Sequence, residues 1–407
     1  MPAIRRRRLP GVLAASIAAA HGAQAQAAEI RLGAIYPFTG ALALPGDESF
    51  RGLELAIEQR NDQGGIAGRR IRLLRGDAPD QAQAVAEARR LIGTERVAAL
   101  FGTFASPLSA AATQVAEAQG IAYFELGAIA DGITDRGFRG LFRLCPRGAE
   151  IGAMTITALT DALAPAWGSE PRTLRVVILH EDAPDGASVA AAQEAELRSR
   201  GLQPAERIAY PERSAEFGPI AQRLRSAQAE VVLHSGGQND IPLLFRGLQE
   251  AGWRPRMLIG AGAAYSLVDT ARAIGPAFEG VMAVDVTPLA VAEGFAPGAA
   301  AFVELYKRRY GADPRSGHSL ANYAGALACL DALREAGGTE RDRLRATMLA
   351  LDQPEGATPA GWGLRFDERG QNMRAQPVLS QWQGGRQVAV FPERAAAGTL
   401  RARLGAG

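Results

Sequence analysis

The stretch VAALFGTFASPLSAAATQVAEAQGIAYFEL, residues 97–126, decides the fold class of this chain. It starts with an apolar run, continues through an Ala-rich segment with helical spacing at 107–119, and ends in a second apolar run, IAYFEL. A helix between two short buried strands is typical of a parallel sheet that is covered by helices. The sequence therefore predicts an α/β unit at this point.

The same alternation extends along the chain in both directions. Upstream lie the strand-like runs IRLGAIY and IRLLRGD, with helical patterns at 50–61 and 81–92. The series restarts near Arg172 with LRVVILH and continues to RMLIGA at 256–261. We therefore expect two Rossmann-like lobes of roughly 120 residues each.

The rest of the chain behaves differently. Helical patterns at 299–310, 319–336 and 339–351 precede a β-like end, GLRFDERGQNMRAQPVLSQWQGGRQVAVF, which contains two turn signals. We expect the helices to return to the first lobe and the hairpin to the second, so that several crossings form a hinge beside a cleft. The predicted bounds are 28–144 and 287–354 for lobe 1, 145–286 and 355–393 for lobe 2, and 394–407 for a flexible tail.

Residues 1–27 have the order of a secretory signal peptide. Four arginines, Arg5 to Arg8, precede an apolar stretch at 9–20 and the small-residue segment HGAQAQAA, which contains A-x-A twice. The apolar stretch is shorter than the about 20 residues of a membrane-spanning helix. We expect cleavage after Ala27 and a soluble periplasmic protein.

Composition excludes several function classes. The formal charge is +2, and cleavage removes four arginines and no acids, so nothing favours nucleic acid or a membrane surface as partner. Cys145 and Cys329 are far apart in sequence, and either two buried thiols or a disulfide fits them. Four scattered histidines predict no metal site.

Motifs of catalysis are also missing from the sequence. It has no G-x-S-x-G elbow, P-loop or HExxH, and GAGAAY lacks the glycine spacing of a dinucleotide site. We therefore expect neither an enzyme nor a cofactor.

Three segments carry a resemblance to a known family: DESFRGLELAIEQRNDQGGIAGRRIRLLRGD, ALFGTFASPLSAAATQVAEAQGIAYFELGA and RFDERGQNMRAQPVLSQWQGGRQVAVFP. Their order and spacing resemble the type I periplasmic binding proteins of ABC importers, in the leucine/isoleucine/valine-binding branch, over residues 29–393. The resemblance implies two Rossmann-like lobes joined by a multi-strand hinge, with a solute bound between them.

The resemblance also implies a carboxylate site at the start of a lobe 1 helix, where unpaired N–H groups and the helix dipole favour an anion. Ser106 matches the serine of the family, and Phe104 and Ala105 precede it in the same loop. A second loop corresponds to Gly127 and Ala128. Ser106 also fits a simple helix N-cap.

Four positions depart from the family pattern. Ile129 replaces a threonine of the carboxylate site, Pro45 falls on an aromatic residue, and Asp185 falls on a tyrosine of lobe 2. Gly262 replaces the acidic residue that pairs with the α-ammonium group of an amino acid. Since a buried ammonium group without a partner is costly, the usual ligand does not follow from the resemblance.

Two alternatives remain for the solute. Glu125 or Asp185 supplies the missing acid, or the solute has no ammonium group, as in an amide or a small organic acid. Glu125 also fits a helix cap or an ion pair, and Asp185 also fits a plain turn.

Further candidates would complete the walls of the cleft. Tyr36, Phe104 and Tyr265 are aromatic residues near its expected edge, although such residues are more often core. Gln238 and Asn239 follow a buried strand and would orient a solute, although Asn239 also fits a helix cap.

These features together predict a monomeric, non-enzymatic solute receptor. It would capture a branched-chain amino acid, a related amino acid, an amide or a small organic acid and deliver it to a membrane permease. The alternative is a ligand-sensing regulator with the same lobes, similar to the amide sensors, against which the leader argues.

Overall fold

The structure is a computed structural model that describes residues 29–405. The predicted leader at 1–27 therefore lies outside the described residues. Within 29–405, none of the helices has both the length and the apolar character that crossing a membrane requires.

The first lobe is built on a parallel five-stranded sheet in the order β2-β1-β3-β4-β5. Helices connect consecutive strands, as the alternation of apolar runs and Ala-rich segments predicts. Its elements are β1 (Ile30–Tyr36), α1 (Ala43–Asp62), β2 (Ile71–Asp77), α2 (Gln81–Arg89), β3 (Ala99–Gly102), α3 (Ser106–Ala118), β4 (Ala122–Glu125), α4 (Gly132–Asp135) and β5 (Leu141–Arg143).

The second lobe repeats the alternation. Parallel strands form the centre of its sheet, and α5 and α7 pack together on one face. Its elements up to the next crossing are α5 (Gly148–Ala158), α6 (Ala164–Ala166), β6 (Val176–Glu181), α7 (Pro184–Ser199), β7 (Glu206–Tyr210), α8 (Gly218–Ser226), β8 (Val231–Ser235), α9 (Asp240–Glu250), β9 (Met257–Ala261), α10 (Val268–Ile274) and β10 (Met282–Asp285).

The last part of the chain divides between the lobes. Its elements are α11 (Ala299–Tyr310), α12 (Gly317–Glu335), α13 (Arg341–Ala350), β11 (Asp352–Gln353), β12 (Leu364–Arg365), β13 (Val378–Gln383) and β14 (Arg386–Phe391). The three helices share the core of lobe 1, and α12 packs along α1. The antiparallel hairpin β13–β14 joins the lobe 2 sheet at β10, giving the order β14-β13-β10-β9-β8-β6-β7.

Two segments differ from the expected division. Residues 355–375 were expected in lobe 2, but Trp362 and Phe366 belong to the core of lobe 1. The expected flexible tail is packed in its described part, since Leu400 and Leu404 lie against the lobe 2 core and the Trp167 indole N–H donates to the Ala402 carbonyl at 2.5 Å. Ala402 lies between these leucines and packs against the same core, so every second residue from 400 to 404 is apolar and faces lobe 2.

The two cysteines are free and buried. Burial raises the pKa of the Cys329 thiol well above its ordinary value. Of the two possibilities, the structure therefore contains separate thiols, which pack as small apolar side chains.

Candidate functional site

A cavity of about 200 Å³ lies between the two lobes. The loops that follow β3 and β4 line it from lobe 1, and those that follow β6, β8 and β9 line it from lobe 2, at the carboxyl ends of the strands. This is the usual ligand position in open α/β sheets. The predicted site residues that line the cavity are Pro45, Phe104, Ala105, Gly127, Ile129, Asp185, Gln238 and Gly262.

The loop from β3 to α3 approaches the first strand closely. Gly102 has φ +143°, and a Cβ atom there would lie 2.1 Å from the Ile35 carbonyl oxygen. Only glycine fits this position. The loop then turns Phe104 into the cavity lining, where its ring meets the His318 ring edge-on at a centroid distance of 5.7 Å.

Glu125 connects the two lobe 1 loops that follow β3 and β4 through hydrogen bonds inside the protein. Its carboxylate accepts the N–H groups of Thr103 at 2.9 Å, Gly127 at 3.0 Å and Ala128 at 2.9 Å, and the Ser109 hydroxyl. Burial raises the pKa of Glu125, and these hydrogen bonds oppose that shift. The side chain is completely buried and does not line the cavity, so its position is that of an internal support.

Ser106 is also engaged within the protein. It is the first residue of α3, it is 1% exposed, and its hydroxyl accepts the Ala130 N–H at 2.9 Å. It does not line the cavity, and neither does Ala128. The Ser106 hydroxyl and the N–H groups of Gly127 and Ala128, which the family resemblance assigns to a solute carboxylate, therefore already have partners in this chain.

Asp185 reaches across from lobe 2 toward this helix start. It lies in the first turn of α7, which contacts α3. Burial raises the pKa of the Asp185 carboxyl, whereas the nearby hydroxyl and N–H of Ser106 lower it. Oδ1 of Asp185 is buried and has no hydrogen-bond partner among the described residues.

Lobe 2 adds further carboxylates. Glu181 and Glu212 line the cavity with Asp185, and the described lining contains neither lysine nor arginine. Burial, together with the carboxylates of Asp240 and Glu212, raises the pKa of Glu181 to about 7, and Asp185 adds to this effect. The cavity is therefore an acidic environment.

Two lining residues that sequence reasoning missed also have unpartnered polar atoms. Ser235 is 4% exposed, and its hydroxyl has no partner in the described part of the chain. His318 is 2% exposed; its Nε2 lies 2.8 Å from Asp285 Oδ2, while its Nδ1 lacks a partner there. Ser235 is the last residue of β8 and directly precedes the loop that contains the predicted site residue Gln238. This position at the end of a buried strand was the one sign in the sequence that Ser235 could face a solute.

Tyr36 and Tyr265 lie in the cores rather than in the cavity lining. The Tyr36 hydroxyl donates to Asn322 Oδ1 at 2.7 Å, and the Tyr265 hydroxyl pairs with His234. Both side chains are buried, because each aromatic ring packs in the core of its lobe and each hydroxyl has a hydrogen-bond partner within the protein.

Asn239 also lies outside the cavity lining. It is exposed and makes no side-chain cap at the start of α9. The next residue, Asp240, accepts the Gly237 N–H at 2.9 Å and the Tyr210 hydroxyl at 3.0 Å. Asp240 thus holds the loop that presents Gln238.

Other locations are less suited to a solute. A larger cavity of about 860 Å³, lined by parts of α11 and the β13–β14 turn, contains none of the predicted site residues. Within residues 29–405, no group of three or more His, Cys, Asp or Glu side chains could hold a metal ion.

Comparisons with known proteins agree with this architecture. A family model described as "Periplasmic binding protein" matches residues 29–386. The "Leu/Ile/Val-binding protein homolog 7" of Brucella suis biovar 1 (strain 1330) is 43% identical over 392 residues, which cover 96% of this chain and 98% of that protein.

Two solved structures share the fold. The substrate-binding protein LivJ of a branched-chain amino acid transporter from Streptococcus pneumoniae, in complex with isoleucine, has a TM-score of 0.75 at 17% identity, covering 90% of this chain and 99% of the other. A solute-binding protein of an ABC transporter from R. palustris, in complex with benzoate, has a TM-score of 0.73 at 22% identity, covering 92% and 98%.

Proposed function

We propose that this chain, which belongs to the periplasmic binding protein family in its leucine/isoleucine/valine-binding branch, captures a small polar solute between its lobes and delivers it to the permease of an ABC importer. The proposed protein acts as a monomer outside the cytoplasm, after removal of residues 1–27, and carries out no chemical reaction.

The observation that carries this proposal is the cavity between the lobes. Three buried polar atoms without partners belong to residues that line it: Asp185 Oδ1, Ser235 Oγ and His318 Nδ1. Buried polar groups are normally paired, and leaving one unpaired costs about 1 to 3 kcal/mol. A bound solute would supply the missing partners.

The connections between the lobes support capture by closure. The chain passes from lobe 1 to lobe 2 after β5, returns after β10, and crosses again before β13. A small hinge of this kind permits domain closure around a ligand. The solute shifts the population toward the closed form because only that form contacts it from both sides.

The alternative of a cytoplasmic ligand sensor has less support. The relatives and solved structures named above are described as binding proteins, two of them as parts of transporters. The predicted leader would also place the chain outside the cytoplasm. Detection of an uncleaved cytoplasmic form would favour the sensor.

A cavity-filling variant tests the receptor function. Ala263 lines the cavity, so Ala263→Phe should abolish the rise in Tm that a solute produces in the parent protein, whereas Ala205→Phe on the exposed surface of lobe 2 should retain it. Thermal shift measurements with amino acids, amides, amines and organic acids provide the readout. A rise in Tm that survives in Ala263→Phe would place the solute elsewhere.

A further inference from the structure

Several N–H groups on the lobe 1 side of the cavity already have acceptors within the protein. The N–H groups of Thr103, Gly127 and Ala128 donate to Glu125, and the Ala130 N–H donates to Ser106. A solute carboxylate placed at the start of α3 would therefore compete with internal acceptors.

Asp185 makes that position still less favourable to an anion. Its carboxylate already faces the Ser106 hydroxyl and N–H, where the family resemblance places the carboxylate of the solute. Two carboxylates side by side in a buried site repel each other strongly. This side chain from lobe 2 thus substitutes for the carboxylate of an amino acid.

The unpartnered atoms that remain can pair with hydrogen-bond donors of a solute. Asp185 Oδ1 is an acceptor. The Asp285 carboxylate accepts from His318 Nε2, which leaves Nδ1 of the ring as the nitrogen available to a solute. Ser235 can accept through its hydroxyl oxygen. A solute rich in N–H groups would satisfy all three.

Charge favours the same chemistry. Glu181, Asp185 and Glu212 line the cavity, and the described lining has no lysine or arginine side chain to balance them. Buried carboxylates are costly unless a cation pairs with them, and an N–H cation provides both the charge and the donors.

We propose that the solute is a small organic cation with N–H donors, an amine or an amidine, that lacks a carboxylate. This inference rests on the proposed receptor function. The cationic end lies between Asp185 and Glu181 and donates to His318, and the apolar part contacts Phe104, Ile129 and Leu267, which also line the cavity.

Matched sets of probes test this solute class. Isoamylamine, leucine, isovalerate and isovaleramide share one branched chain, and benzylamine, phenylglycine, benzoate and benzamide share one ring. Isothermal titration of the purified protein should rank the amine first in at least one set, by about tenfold or more over the acid and the amino acid. A molecule that copurifies, identified by mass spectrometry, should likewise be an amine or an amidine.

Variants of the loop after β6, which contains Asp182 and Asp185, test which carboxylate pairs with the amine. Asp185→Asn should weaken amine binding by about tenfold or more, because the charge partner is lost. The matched control is Asp182→Asn, an exposed acid of the same loop outside the cavity lining, which should bind the amine unchanged. If Asp185→Asn fails to fold, Ser235→Ala should weaken the amine in its place.

The possible results separate this inference from the receptor function. Tighter binding of the acid, the amino acid or the amide than of the amine in both sets would overturn the cationic solute and leave the receptor intact. Equal amine affinity in Asp185→Asn and the parent would also overturn it. If no probe binds and no molecule copurifies, both proposals fail.

Discussion

Glu125 shows how one buried carboxylate can order a binding loop without touching the solute. Its oxygens collect three backbone N–H groups from two separate loops, and the Ser109 hydroxyl completes the set. Four donors thus share one carboxyl group, which ties both loops to the same side chain.

Glu125→Gln should therefore lower stability more than affinity. The amide NH₂ group would face N–H donors, and the expected loss in free energy of unfolding is about 2 to 4 kcal/mol. Urea unfolding gives this value, with Glu335→Gln on the exposed surface of lobe 1 as the neutral control. Loss of solute binding at unchanged stability would instead assign Glu125 to the solute.

Glu181 provides a pH-dependent prediction. Its pKa in the folded protein, about 7, lies above the ordinary value of 4.5, so the folded state holds a proton that the unfolded state releases. The solute-free protein should therefore lose stability as the pH rises from about 4.5 to about 7. Glu181→Gln should be more stable than the parent at pH 8, by about 1 to 2 kcal/mol after allowance for solvent screening.

Urea unfolding across this pH range measures the slope of the free energy of unfolding against pH. The control is Glu250→Gln, whose side chain is exposed at the end of α9 and should leave the slope unchanged. A parent protein with the same stability at both ends of the range would show that folding does not raise the pKa of Glu181.

At the scale of elements, sequence patterns located most strands and most helices, but they missed β5 and β10 and misplaced some ends. The helix expected at 50–61 starts at Ala43, because the Pro45-Gly46 pair suggests a turn in sequence but lies within the first helical turn. Proline is tolerated there since its missing N–H would have no partner. This early start is what brings Pro45 to the cavity.

The tail is an element that composition misjudged. Its Ala, Gly and Arg content suggested flexibility, but the tail packs against lobe 2. Gly280 leaves space for the tail, because a Cβ atom at Gly280 would lie 2.6 Å from the Arg403 carbonyl oxygen. Gly252 has a similar positive φ, +58° against +82°, and open space around its Cβ position.

Gly280→Ala should therefore destabilise the protein more than Gly252→Ala does. Both changes carry the backbone cost of a left-handed alanine, about 1 kcal/mol, and only the first adds a collision, worth about 1 to 2 kcal/mol. Chemical unfolding of both variants, repeated in chains that end at Ala395, separates the two costs. The excess should vanish without the tail; if it persists, the collision is not the cause.

For the whole molecule, the two lobes and the destinations of α11–α13 and the hairpin followed from the order of apolar runs. The position of 355–375 did not, because its partners are distant in sequence: Gln371 Oε1 accepts from Arg143 Nε at 2.6 Å. The acidic cavity was likewise hidden, since Glu181, Ser235 and His318 come from three separate elements. Only the folded chain brings such residues together.

The lobes also meet beside the cavity through an ion pair. Arg315, which precedes α12, contacts Asp269 on α10 at 2.9 and 3.1 Å, and the Val268 N–H donates to the Arg315 carbonyl at 3.0 Å. Both charged side chains are partly exposed. Such a pair contributes about 0.2 to 1 kcal/mol, here to the closed arrangement of the lobes.

Asp269→Asn should shift the molecule toward an open form. Because only the closed form binds fully, the apparent affinity for the solute should fall about two- to fivefold, and the solute-free radius of gyration should increase. Isothermal titration and small-angle X-ray scattering measure the two effects. Glu194→Gln removes ion pairs within lobe 2 alone, to Arg198 on α7 and Arg207 on β7, and should change neither. Because salt screens exposed charges, added salt should weaken solute binding to the parent more than to Asp269→Asn; equal salt sensitivity, with unchanged dimensions, would show that this pair does not control closure.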